Sequence, residues 1–263
     1  GGDDTYRLAP YLFDHDELKN AVTKKPFLGF SDTTLNHFML HKVGLPTFYG
    51  QAFLPDVCEL ASAMLPYTKR YFEEFLKTGT IREVRPSELW YTSRTDFSPE
   101  ALGTELPAHK NSGFELLQGP AQFEGEILGG CIDSMYEMFS GWRYGDMPEV
   151  CRNYGLFPAK DDWRGKILLM ESCEEYMLPE TYKKALETLQ ETGVFDAVSG
   201  VLVGKPMDDM YHAEYKKLLV ETISNKELPI LCNINVGHAQ PRCILPFGVP
   251  AHVDADAQVI RFD

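Results

Sequence analysis

Three residues of this chain have the types and order that a nucleophilic hydrolase needs: Ser31, Glu171 and His238. Ser31 stands in P-F-L-G-F-S-D, where Phe27, Leu28, Gly29 and Phe30 read as a short buried strand. Apolar residues then recur at Leu35, Phe38, Met39 and Val43, the spacing of one helical face. Ser31 is therefore expected at a strand-to-helix turn, which lifts its side chain clear of the backbone. The next N–H groups open a helix, where an anion can be held. G-x-S-x-G is matched only in part, with Thr33 in place of the second glycine. An N-cap serine satisfies the same pattern.

Glu171 closes the apolar run K-I-L-L-M-E, and His238 follows P-I-L-C-N-I in N-V-G-H. Both fall at the carboxyl ends of expected strands, where α/β enzymes keep their chemistry. Ser…Glu…His is one of several chain orders that a triad tolerates. In a triad the serine must lose a proton, the histidine takes it, and the carboxylate fixes the tautomer and stabilises the imidazolium. Spacing alone also accommodates a core or turn histidine and a helix-capping glutamate.

The elements that must position these residues alternate in type. Residues 5–25 read as a turn and a helix over D-H-D-E-L-K-N-A-V, and L-P-T-F-Y-G as a short β-rich run. A helix is expected from Glu59 to Leu76, ended by Gly79. Residues 79–119 are rich in Pro, Ser, Thr and Gly and too long for an idle loop, so they read as a linker with some strand content or as a lid. Strand E-G-E-I-L-G-G, helix C-I-D-S-M-Y-E-M-F, strand K-I-L-L-M-E and a helix from Pro179 to Gly193 follow. Strand V-S-G-V-L-V-G, a helix from Tyr211 to Asn225, strand P-I-L-C-N-I and two or three short tail strands complete the chain. Such alternation predicts an α/β fold with a mostly parallel sheet.

Composition narrows the partners. The 263 residues are 44% hydrophobic and 24% charged, ordinary for a globular protein, and the formal net charge is −14. That charge argues against nucleic acid or an anionic membrane as a partner. No apolar run approaches a membrane span. The six cysteines form no C-x-x-C pair, which suggests free, mostly buried thiols of a reducing, cytoplasmic compartment and no zinc site. His37 and His41 have a metal-ligand spacing but no third ligand nearby, so they read as packing or exposed histidines. The opening Gly1-Gly2-Asp3-Asp4, with no methionine and no signal peptide, suggests a chain cut from something longer.

Several motifs occur together and in order: G-G-x-x-x-x-R-L-x-P-Y-L, G-F-S-D-T-T, G-L-P-T-F-Y-G, G-E-I-L-G-G, G-K-I-L-L-M-E and G-H-x-x-P-R-C-I-L-P-F-G-V. From Gly1 to the C-terminus the chain resembles the LD-carboxypeptidase family of serine peptidases, and most of all its microcin C self-immunity branch. The resemblance implies a Ser-His-Glu triad with Ser31 as nucleophile, Glu171 as carboxylate and His238 as base. It implies an oxyanion hole from the backbone N–H of Asp32 and of Gly1 or Gly2. It also implies two domains: a flavodoxin-like N-terminal parallel sheet (1–78), whose opening elements are missing here, and a C-terminal swivelling β/α domain (120–263) beyond the 79–119 segment. No metal or organic cofactor is expected, and a homodimer is.

Three further positions come from the same resemblance. Cys131 stands where the family commonly has a substrate-holding asparagine after G-G. Phe97, in T-D-F-S-P-E, lies close to an aromatic residue that stacks on the nucleobase in the immunity branch. Glu175 stands where that branch has a lysine for acidic acyl side chains, so this chain is expected to disfavour such substrates. The implied function is hydrolysis of an amide next to a free carboxylate or acyl-nucleotide, as in detoxifying peptide-nucleotide antibiotics. Murein tetrapeptide LD-carboxypeptidase activity is the alternative, and an inactive ligand-sequestering protein the second.

Overall fold

The computed structural model describes residues 2–15, 21, 25–175 and 177–263. A 3₁₀ turn (Thr5–Leu8) and α1 (Ala9–Phe13) lead to β1 (Leu28–Gly29), a 3₁₀ turn (Ser31–Thr33) and α2 (Thr34–Lys42). Then come β2 (Thr47–Tyr49), α3 (Pro66–Thr78), β3 (Glu83–Val84), β4 (Leu89–Tyr91), β5 (Ala108–Lys110) and β6 (Glu115–Gln118). The long β7 (Gln122–Cys131) runs straight into α4 (Ile132–Ser140), followed by α5 (Met147–Asn153) and β8 (Lys166–Glu171). The chain continues through α6 (Pro179–Thr192), α7 (Val194–Ala197), β9 (Gly200–Gly204), α8 (His212–Thr222) and β10 (Ile230–Ile234). It ends on β11 (Leu245–Phe247), β12 (Pro250–Asp254) and β13 (Val259–Phe262).

Among the described residues, eight strands form one sheet in the order β3-β13-β12-β7-β8-β9-β10-β6. β7, β8, β9 and β10 are parallel neighbours, each pair joined through helices. Their apolar runs are continuous because both faces are covered: Ile167, Leu168, Leu169 and Met170 are all 0% exposed. The flanks differ. β12, β13 and β3 on one side, and β6 on the other, are antiparallel to their neighbours. The expectation of a mostly parallel sheet therefore holds only for the centre. The tail strands β12 and β13 are joined by a short turn, which permits only antiparallel pairing. A second sheet has the order β1-β2-β11, with β1 and β2 parallel and β11 antiparallel to β2. The two sheets approach closely at Gly130 (φ +142), where a Cβ would lie 2.7 Å from the ring of Tyr49 in β2.

The strand content expected within 79–119 is present. β3 and β6 join opposite edges of the large sheet, and β4 pairs with β5 as a separate hairpin. The helix expected from Glu59 begins only at Pro66. Proline holds its predecessor Leu65 in an extended conformation (ψ 131°) and takes the first helical position. α6 matches its expected bounds, burying Tyr182, Ala185, Leu186 and Leu189 and ending on a left-handed Gly193 (φ +79). The helix expected over Asp14–Val22 falls mostly outside the described residues. Among the described residues no helix is long and apolar enough to cross a membrane.

The join between β7 and β8 sets a sharp local constraint. Gly129 has φ +134, and a Cβ there would lie 2.2 Å from the Leu169 carbonyl oxygen, backbone that cannot move aside. Gly129→Ala combines left-handed strain with overpacking and should destabilise the fold by roughly 2–4 kcal/mol. A urea midpoint shifted down at unchanged slope is the expected observation.

Candidate active site

Ser31 sits on the turn that its sequence predicts. Phe30 is extended (φ −150, ψ −177), Ser31 itself is left-handed (φ +66), and α2 starts at Thr34. A serine held at positive φ is strained, and its neighbours fix it there. The Ser31 N–H donates to Tyr49 Oη (3.0 Å), and Thr34 Oγ1 donates to the Ser31 carbonyl (2.7 Å). Thr34 Oγ1 also accepts from the Cys131 N–H (2.9 Å), which ties the turn to the end of β7.

Glu171 ends β8 and is 2% exposed; His238, on the loop after β10, is 5% exposed. His238 Nδ1 lies 2.7 Å from Glu171 Oε2, and its Nε2 lies 3.0 Å from Ser31 Oγ. Three residues far apart in the chain thus form one line of hydrogen bonds. Gly237 (φ +88) makes this possible, since a Cβ there would lie 2.4 Å from Glu171 Oε2. Behind the ring, Arg242 donates to the carbonyls of Gly237 and His238 (the latter at 2.6 Å) and pairs with buried Asp56 at 3.0 Å. The Phe30 ring meets His238 edge-on at 5.0 Å and carries the Arg242 guanidinium 4.8 Å from its centroid.

The other expected site residues divide. Asp32 and Cys131 line the cavity beside Ser31, and Glu175 lies on its rim, 3.8 Å from Arg143. Gly2 adjoins Asp3, whose side chain lines the same cavity; Gly1 lies outside the described residues. Phe97 is not brought to this cavity: its side chain stands 75% exposed in the loop before Ser98. His37 is a core histidine, with Nδ1 2.7 Å from Thr47 Oγ1 and Nε2 3.1 Å from the Gly29 carbonyl. Burial pushes its pKa down to about 4.

Several residues at the site were not singled out from the sequence. Tyr49 donates to Glu171 Oε1 at 2.6 Å while accepting from Ser31, so it braces nucleophile and carboxylate together. Arg143 reaches Asp3 (3.0 Å), Asp32 (3.8 Å) and Glu175 (3.8 Å). The Asp133 carboxylate accepts from the Cys173 N–H (3.0 Å) and lies 3.6 Å from Cys131 Sγ. Glu174 Oε2 lies 2.8 Å from His238 Nε2, the same nitrogen that faces Ser31. The only signal for Tyr49 was its place in the T-F-Y-G run, and for Arg242 its place in P-R-C-I-L-P.

Cys131 Sγ, Glu171 and His238 offer ligand atoms within 4.8 Å of one another, the arrangement a metal ion could use. Each is otherwise committed. Glu171 and His238 bond to each other, and burial, reinforced by the Glu171 charge, pushes the Cys131 thiol well up and keeps its proton on.

Burial alone would lower the His238 pKa, but the Glu171 and Glu174 carboxylates overcome it and raise it to about 10. A histidine raised above its unfolded value of about 6.5 stabilises the fold fully below that value, and the stabilisation fades as pH climbs through the folded value. Wild type should therefore lose stability relative to His238→Gln as pH rises from 6.5 towards about 10. Urea unfolding of both proteins across that range checks the sign. A gap that widened with pH would contradict the pairing.

Known proteins match the chain along most of its length. The family model described as the LD-carboxypeptidase N-terminal domain matches residues 1–50, and that of the LD-carboxypeptidase C-terminal domain matches residues 124–253. The chain is 26% identical to the microcin C7 self-immunity protein of Escherichia coli, over 97% of this chain and 70% of that protein. It is 58% identical to an MccF-like protein from Streptococcus pneumoniae solved in complex with AMP, with a TM-score of 0.98 over 100% of this chain and 76% of the other. A structure of the microcin C7 self-immunity protein in complex with aspartyl sulfamoyl adenosine superposes with a TM-score of 0.76 at 25% identity, covering 100% of this chain and 73% of that one. On these matches the chain belongs to the LD-carboxypeptidase family of serine peptidases.

Proposed function

We propose that this protein is a serine amidase that cleaves the amide joining an aminoacyl group to a nucleotide-like leaving group. The observation that carries the reading is the unbroken line Ser31 Oγ–His238 Nε2 (3.0 Å) and His238 Nδ1–Glu171 (2.7 Å). In the reaction His238 takes the Ser31 proton as Oγ attacks the carbonyl, and Glu171 stabilises the imidazolium. The Asp32 and Gly2 N–H groups hold the developing oxyanion. The Ser31 N–H is not available for this, because it already donates to Tyr49. His238 then protonates the leaving amine, and water activated by the same ring releases the acyl group from Ser31.

The nucleotide half of the reading is supported by the relatives solved with AMP and with aspartyl sulfamoyl adenosine. The acyl half is supported by Glu175 on the cavity rim, which opposes an acidic acyl side chain and favours a neutral or basic one. Murein tetrapeptide cleavage is the second reading, favoured by the family description itself. Two domains (1–78 and 120–263) belong to the proposal, with the part of 79–119 that lies between β3 and β6 as a lid and Phe97 closing on the base.

Ser31→Ala and His238→Ala should each lower kcat/KM for an aminoacyl-sulfamoyl adenylate by several orders of magnitude. Glu171→Gln should fold and lose most turnover. Full activity in Glu171→Gln would remove it from the mechanism, and no turnover of any amide in a panel of adenylates and murein tetrapeptides would leave a sequestering protein. Phe97→Ala should raise KM for the adenylate alone, by the roughly 1–3 kcal/mol that stacking of a base contributes. An equal effect on murein peptides would count against stacking.

A further inference from the structure

Glu174 is at odds with a histidine ready to act as base. Its side chain is 60% exposed on the turn after β8, free to lie in solvent, yet its Oε2 sits 2.8 Å from His238 Nε2. Ser31 Oγ is 3.0 Å from the same nitrogen. That nitrogen has one site, either a proton or a lone pair. An ionised carboxylate only accepts, so the contact with Glu174 requires Nε2–H. Nδ1 faces a second carboxylate, Glu171, at 2.7 Å and also carries a proton. The ring is then an imidazolium between two carboxylates, and it has no lone pair with which to take the serine proton. Glu174 must leave before Ser31 can be activated.

The surroundings indicate what draws it away. The cavity beside Ser31 is lined by Asp3, Asp32, Asp133, Glu137, Glu174 and Glu175, and Arg143 is the one cation among its described lining residues. Arg143 is already shared between Asp3, Asp32 and Glu175, and no contact joins it to Glu174 within 4.0 Å. An incoming cation is therefore attracted to the cavity, and of its carboxylates Glu174 is the one paired with His238. We propose that Glu174 is a gate that selects the acyl group: it rests on His238 in the free enzyme and transfers to a primary ammonium beside the scissile carbonyl of the substrate. This rests on the amidase reading and adds the residue that reads the ammonium of its aminoacyl group. An aminoacyl group opens the gate; an acyl group without the ammonium leaves the base protonated.

The electrostatics agree. The His238 contact holds the Glu174 carboxyl down at about 2, and the two carboxylates hold His238 up at about 10. The charged and titratable groups facing the ring are Glu171 from β8, Glu174 from the turn after it, Asp133 at the start of α4 and Cys131 at the end of β7. Arg242 meets the backbone behind the ring. Of these, only Glu174 is exposed enough to exchange partners.

The experiment compares wild type and Glu174→Gln on leucyl-sulfamoyl adenosine and its des-amino analogue, 4-methylpentanoyl-sulfamoyl adenosine. Wild type should prefer the aminoacyl compound. In Glu174→Gln the preference should fall about tenfold or more, because des-amino cleavage rises as the base is released, about tenfold for each unit its pKa drops. The acid limb of kcat/KM should move to lower pH by at least about one unit. A nitrogen-15 NMR titration of His238 reads the same release without turnover: the imidazolium should persist above neutrality in wild type and titrate lower in the variant. If no amide is cleaved but this NMR difference is seen, the gate stands and the amidase reading fails. Equal substrate ratios, or identical His238 titrations in the two proteins, overturn the gate.

Discussion

The Glu171 carboxylate has both oxygens engaged inside the protein: Oε1 accepts from Tyr49 (2.6 Å) and Oε2 from His238 (2.7 Å), with 2% of the residue exposed. A buried charge without partners costs several kcal/mol, so this end of β8 constrains everything around it. Tyr49 must arrive from the small sheet and His238 from the loop after β10. Gly237 must lack a side chain so that the histidine can come close, and Gly130 must lack one so that the two sheets can meet. The proposed chemistry and the joining of the sheets depend on the same contacts.

A second buried pair steadies the loop. Asp56 and Arg242 bond at 3.0 Å with almost no exposure, and the guanidinium also holds the carbonyls of Gly237 and His238. The planar fork of arginine reaches three acceptors in fixed directions, which an ammonium on a flexible stem does not reproduce. The histidine ring is thereby positioned from behind, while its Nε2 edge faces the cavity.

What was legible in the sequence was local. The Ser31 turn could be read because a strand, a sharp turn and a helical face follow one another within a few residues. Glu171 and His238 could be placed because each ends or follows a continuous apolar run. The start of α3 was also written locally, in Pro66, and the apolar pattern upstream obscured it. The antiparallel flanks were not legible, because β3 pairs with β13 and β6 with β10 over more than a hundred residues of chain, and hydrophobic pattern does not encode partner or direction. The same holds for Tyr49, whose role depends on Glu171, and for Asp56, whose partner is Arg242. Nothing in the sequence marks Glu174; only the fold of the turn brings it to the histidine.

The central claim is that Ser31 is a nucleophile activated through His238. Its most direct measurement is intact-mass analysis of the protein after a fluorophosphonate probe, followed by peptide mapping. The account predicts one adduct per chain, on Ser31, forming faster as pH rises through the titration of His238 and absent from His238→Ala. No adduct on wild type even above the titration of His238, or an adduct on another residue with Ser31 unmodified, would contradict it.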